Sequence, residues 1–160
     1  MQTTLTNGVV LGTSPGANVN PGGILYVRGS GKLISEGSPV LRNRLVRYNT
    51  VQEQSVTNAA NNGAFVCVDS NATAPEVRCR FTDWPAMSGS GDHLTGYNIH
   101  FPFSFSDCQF TASQVFLKGC PVALTNCFWE RMLVNLNDDG EAVDRSCTTY
   151  HFEQDVIGHQ

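Results

Sequence analysis

Residues 104–110 read Ser-Phe-Ser-Asp-Cys-Gln-Phe, and residues 123–129 read Ala-Leu-Thr-Asn-Cys-Phe-Trp. Laid one over the other, they set Phe105 on Leu124, Asp107 on Asn126, Cys108 on Cys127 and Phe110 on Trp129, an offset of nineteen residues. A third, weaker copy covers residues 145–152, where Ser146 and Cys147 take the place of the Asn-Cys pair twenty residues further on. A recurrence near twenty residues, in short β-favouring runs without a helical period, points to a β-solenoid in which the chain winds once per copy. Successive windings lie one strand spacing apart, about 4.8 Å, so each residue stacks on its counterpart in the next coil. Interior columns must be apolar or fully hydrogen-bonded. Phe105 with Leu124, Phe110 with Trp129, and the small thiols of Cys108, Cys127 and Cys147 fit such columns. Asp107 and Asn126 are expected at a bend, where a short polar side chain bonds to backbone and tolerates a left-handed conformation.

Upstream the texture loosens. Residues 64–68 and 76–81 read as two short strands around a turn at 69–75. In the first forty residues Gly12, Pro15, Gly16, Pro21, Gly22, Gly23, Gly29, Gly31, Gly37 and Pro39 interrupt every apolar run, so no helix can persist. Residues 8–11, 24–28 and 33–34 remain as brief strands, and residues 45–52 continue the pattern. Residues 84–96, with Pro85, Ser88, Gly89, Ser90, Gly91 and Gly96, form an irregular excursion, either a functional loop or a connection between coils. The expected fold class is all-β, a parallel β-helix, complete or fragmentary. One domain over residues 1–160 is expected, with irregular Gly/Pro-rich coils over 1–63 and more regular ones over 64–160. The alternative is a separate β-sandwich in the first hundred residues.

The Asp-Cys-Gln-Phe of residues 107–110 and the Asn-Cys-Phe-Trp of residues 126–129 resemble coils of right-handed parallel β-helices, the pectin-lyase-like superfamily. The resemblance is clearest over residues 103–152. It is closer to the non-catalytic β-helical segments of long bacterial exported proteins than to any one enzyme. It implies a right-handed coil, an extracellular or cell-surface location, and carbohydrate or neighbouring segments of a longer chain as partners. An uncapped solenoid end exposes unpaired backbone, so with no capping helix after His159 the chain is expected to be a piece of something longer.

Composition narrows the function classes. Fourteen acidic residues against ten Lys and Arg, with no basic cluster, argue against a nucleic-acid partner. No run approaches the roughly 20 apolar residues of a membrane helix, so no membrane span is expected. Residues 1–10 lack the basic-then-apolar pattern of a signal peptide. The six cysteines (Cys67, Cys79, Cys108, Cys120, Cys127 and Cys147) contain no CxxC pair and read as column residues rather than disulfides.

Two constellations carry candidate chemistry. Asp138-Asp139 is the only adjacent acid pair, and His159 lies about one coil further on. The resemblance to polygalacturonase-like β-helices makes these three catalytic candidates, because paired carboxylates divide acid and base work. Against this, Gln160 stands where that pattern has a second Gly, and Phe116-Leu117-Lys118-Gly119 replaces its Asn-Thr-Asp. Asn137-Asp138-Asp139-Gly140 is also an ordinary turn. The second constellation is Trp84, Asp92, His93 and Tyr97, with Asp83, around the irregular excursion, a carbohydrate-binding candidate with aromatic faces against sugar faces. Lids on the core are the commoner role for such aromatics. The histidines and cysteines show no zinc spacing, and neither a metal nor a cofactor is expected. The leading expectation is a non-enzymatic scaffold or surface-interaction segment of a larger exported protein. Its rival is a polysaccharide-active β-helix enzyme or a remnant of one.

Overall fold

The computed structural model describes residues 2–13, 25–47, 65–69, 71–85, 92–97, 99–111, 113–130, 132–135, 144–146 and 149–151. These form seventeen strands and no helix. The first round of the chain is β1 (Gln2–Thr6), β2 (Val10–Thr13) and β3 (Leu25–Val27); the second is β4 (Lys32–Glu36), β5 (Asn43–Arg47) and β6 (Val66–Val68). β7 (Glu76–Arg80), β8 (Thr82–Trp84) and β9 (Asp92–Tyr97) make the third, and β10 (Phe103–Ser106), β11 (Gln109–Thr111) and β12 (Gln114–Lys118) the fourth. β13 (Val122–Thr125), β14 (Phe128–Glu130) and β15 (Leu133–Asn135) follow, then β16 (Asp144–Ser146) and β17 (Thr149–His151).

Each strand pairs in parallel with the strand three places away, giving three sheets: A (β1-β4-β7-β10-β13-β16), B (β2-β5-β8-β11-β14-β17) and C (β3-β6-β9-β12-β15). The chain therefore visits three faces in rotation, an all-β parallel arrangement compatible with a β-solenoid. Strands of the first hundred residues belong to the same three sheets as the later ones, which overturns the separate β-sandwich. Round lengths are unequal. Gln2 pairs with Lys32 and Lys32 with Glu76, thirty and forty-four residues on, whereas Phe105 pairs with Leu124, nineteen on. Two expectations need correcting. Ser146 lies beside Thr125 rather than Asn126, so the third copy of the repeat is one residue out of register; Cys147 itself is outside the described residues. Residues 92–97 are a strand of sheet C rather than part of an irregular loop.

Inside, the coils stack as columns. In sheet A the inward positions run Leu33, Val77, Phe103 and Val122, all buried. In sheet B Phe110 lies between Trp84 and Trp129, ring centroids 5.4 and 4.6 Å apart and nearly parallel. Phe65 and Phe105 meet Trp84 edge-on, so the large rings pack together within one hydrophobic core.

The corner from sheet A to sheet B has its own logic. Phe81, Asp107 and Asn126 each turn the chain with a single left-handed residue, at φ 45°, 54° and 51°. Asn and Asp reach that conformation cheaply, and the Asn126 Nδ2 donates to Asp107 Oδ1 of the coil below at 2.6 Å. Phe81 has no such side chain; its ring instead lies under the Arg80 and Arg42 guanidinium groups, 4.9 and 6.0 Å from its centroid. The residue after each left-handed turn, Thr82, Cys108 or Cys127, donates its hydroxyl or thiol to the carbonyl two residues back, at 3.1, 3.3 and 3.5 Å. Cys108 and Cys127 also reach the carbonyls of Cys79 and Phe105 in the preceding coil, both at 3.4 Å. In the earlier coils Asn43 does the equivalent work, bonding to the Leu5 carbonyl and to Ser35, which meets Thr82. The buried polar column is thus hydrogen-bonded from coil to coil, as a low-dielectric interior requires.

Candidate functional site

Among the described residues the inward side chains pack into one core, so the outward positions are the ones open to a ligand. Side chains alternate across a strand, so the register decides which residues share a face. On sheet C the inward column is Val66, Leu94 and Val115, and the outward one is Tyr26, Cys67, Thr95 and Phe116. Two residues further along β9, Tyr97 also faces out. Tyr26 and Tyr97 are each 44% exposed. The Tyr97 ring lies nearly parallel to that of Phe116, with centroids 6.3 Å apart. The Arg28 guanidinium covers Tyr26 at 4.7 Å from its centroid and pairs with Asp69 at 3.7 Å. Thr95 donates its hydroxyl to Asp92 Oδ2 at 2.8 Å. Gly96 lets the strand pass close to the core here, since a Cβ would stand 3.1 Å from both Leu117 and Phe103.

The candidate patch of Trp84, Asp92, His93 and Tyr97 does not form one surface. Trp84 and His93 are wholly buried, whereas Tyr97 is exposed and Asp92 half-buried. The reason is local. Opposite Gln114 and Val115, the register takes Asp92 and Leu94 and skips His93, a bulge that turns the imidazole inward. There it lies 6.0 and 6.1 Å from the ring centroids of Trp84 and Phe110, with Nε2 3.2 Å from the Thr111 carbonyl. Asp138, Asp139 and His159 lie outside the described residues.

The sequence reading missed Tyr26, Arg28, Thr95 and Phe116. Tyr26 is forty-one residues from its partner Cys67, Cys67 twenty-eight from Thr95 and Thr95 twenty-one from Phe116, so no constant offset reveals the column.

A second feature lies on sheet A, a cavity of about 310 Å³ floored by Pro75, Phe101 and Pro102 and edged by Lys32, Glu76, Arg78 and Ser104. Its charges are matched across coils: Lys32 Nζ meets Glu76 Oε2 at 2.6 Å, and Arg78 meets Glu36 at 3.1 Å. The hydrogen bond from Lys32 holds the Glu76 carboxyl below its ordinary range. Arg42 with Asp83 and Arg80 with Asp107 repeat the intercoil pairing at the next corner, at 2.5 and 3.6 Å.

Among the described residues no group of three or more His, Cys, Asp or Glu could hold a metal ion, and no helix is long and apolar enough to cross a membrane. Among the described residues, Cys67, Cys79, Cys108, Cys120 and Cys127 are thiols outside any disulfide. Burial raises Cys79 and Cys108 well above the ordinary thiol range; at Cys127 a hydrogen bond from Cys108 lowers the value, with burial opposing it. Comparison with protein-family models, with curated proteins and with solved structures finds no match to this chain.

Proposed function

We propose that this chain is a non-catalytic segment of a right-handed, pectin-lyase-like parallel β-helix, serving as a rigid scaffold and interaction surface in a larger exported protein. The observation that carries this reading is the way its charges are used. Glu36, Glu76, Asp83 and Asp107 each meet a cation, and all four pairs join different coils. Such rungs fasten neighbouring coils, whereas hydrolytic acids converge on one another across a groove. Right-handed winding is supported by the near-universal right-handedness of parallel crossover connections.

The test has two parts. Incubated with a panel of plant and bacterial polysaccharides, the chain is expected to release neither reducing ends nor unsaturated products. Steady product release, abolished by Asp138→Asn or Asp139→Asn, would replace the scaffold by an enzyme. In the source cells, an antibody to the chain is expected to detect an extracellular or surface polypeptide longer than the chain itself; detection only inside the cell at the chain's own length refutes the larger exported protein.

A further inference from the structure

We propose that Cys108 and Cys127 are the two halves of a disulfide between neighbouring coils, formed with a small disulfide oxidant of the glutathione class as the chain folds in an oxidising compartment. The compartment rests on the reading of the chain as part of an exported protein, where thiols meet such oxidants; the pairing rests on geometry alone. Three observations converge on it. First, the two thiols hold the same position in adjacent coils. Ser106 pairs with Thr125 just before them and Gln109 with Phe128 just after, so Cys108 stacks on Cys127. One strand spacing, about 4.8 Å, lies inside the roughly 4.4–6.8 Å that separates the Cα atoms of a disulfide. Second, the stack is clamped on both sides of the pair. Asn126 Nδ2 donates to Asp107 Oδ1 at 2.6 Å, and the Phe128 amide donates to the Cys108 carbonyl at 2.8 Å. Third, both sulfurs are buried and meet each other. The Cys127 thiol reaches the Phe105 carbonyl of the coil that carries Cys108, at 3.4 Å, and the Cys108 thiol hydrogen-bonds to the Cys127 sulfur.

The other described cysteines are placed differently. Cys67 faces outward from sheet C, Cys79 lies opposite Phe105, three residues before Cys108 in the round, and Cys120 precedes β13. The exchange itself is balanced. One cysteine thiolate attacks the small disulfide, breaking its S–S bond and releasing one small thiol. As the coils stack, the second cysteine attacks the protein sulfur of the mixed disulfide, forming the bond between coils and releasing the second small thiol. Two protein thiols are oxidised, the oxidant is reduced to two thiols, and the two cysteine protons pass to the released thiolates. Because both sulfurs are closed off in the folded coil, the first exchange belongs to the unfolded chain, and a chain folded in reduced form keeps its thiols.

The experiment unfolds the whole chain in reductant and refolds it in a mixture of reduced and oxidised glutathione, with refolding in dithiothreitol as the comparison. Proteolysis without reduction, including cleavage after Leu124 to part Cys120 from Cys127, is followed by mass spectrometry. The Cys108 peptide is expected joined to the Cys127 peptide. The oxidised chain should keep the far-ultraviolet circular dichroism of the reduced one, with a higher urea midpoint that reductant brings back down. Cys108→Ser, which repeats the hydroxyl of Thr82 in the coil below, should lose both the link and the rise in midpoint. The peptide map of the unsubstituted chain decides the pairing even if that variant fails to fold. Joining of Cys108 or Cys127 to Cys79, Cys120 or Cys147 overturns the inference, as does a link that lowers the midpoint. A linked native chain upholds the pairing whatever the localisation test returns. A refolded chain with both thiols intact overturns it and leaves the exported scaffold to its own product-release and localisation tests.

Discussion

Phe110 and Phe128 stand on neighbouring strands of sheet B, one facing in and one facing out, and truncating each to alanine tests the register of the whole stack. Phe110 has no exposed surface and lies between the parallel rings of Trp84 and Trp129. Removal of a buried Phe side chain costs about 3–5 kcal/mol, the upper end applying where neighbours cannot close the space. Here they cannot move far, because the strands carrying Trp84 and Trp129 are pinned by parallel pairing on both sides of β11. Each ring contact adds about 0.5–1.5 kcal/mol beyond area. Phe110→Ala is therefore expected to cost about 5 kcal/mol, a large share of the 5–15 kcal/mol that holds a typical domain. Phe128 is 37% exposed, and its truncation should cost about 1 kcal/mol or less. Urea unfolding followed by far-ultraviolet circular dichroism measures both midpoints, with a constant slope required for comparison. Should Phe110→Ala fail to fold, Phe110→Leu gives the same ordering at a cost of about 1–2 kcal/mol. A one-residue slip exchanges the two faces. If Phe128→Ala proves the more damaging variant, the stacked interior described here is wrong.

Cys79, Cys108 and Cys127, buried in the coil interior, should react with a thiol reagent only after unfolding, whereas the half-buried Cys67 on sheet C should react in the native state; mass spectrometry of alkylated peptides reads the order. Raised folded-state values at Cys79 and Cys108 make stability complete below the unfolded thiol value, about pH 8.5, and make it fall as the pH rises beyond, since the unfolded chain then holds fewer protons. The alkaline slope of the urea midpoint should flatten in Cys79→Ser, Cys108→Ser, a change that Ser35 and Thr82 already accommodate in the adjoining coils. At the left-handed corner, Asn126→Ala should cost about 1–2 kcal/mol from backbone strain and the lost bond to Asp107, and Asn126→Gly clearly less; equal losses in thermal unfolding would remove strain as the cause.

What the amino-acid sequence determined by itself is the local pattern of the later coils. The nineteen-residue offset is the distance between strands paired in the structure, Phe105 with Leu124 and Phe110 with Trp129. The corner residues were legible because few side chains tolerate a left-handed backbone, and Asp107 and Asn126 are two that do. Phe81 occupies the same corner with none of that signal, held by arginines from two coils. Tertiary structure alone decided the rest. Connections of eleven and eighteen residues between β2 and β3 and between β5 and β6 break the period, so the pairing of the early coils cannot be counted along the chain. Which side of a strand faces the core turns on single-residue shifts. The bulge at His93 turned its imidazole inward, and the pairing of β8 with β11 turned Trp84 inward, leaving Tyr97 beside Phe116 on the outer face. A strand has a period of two, so its composition can show that it is half-buried, while only its neighbours in the sheet decide which half.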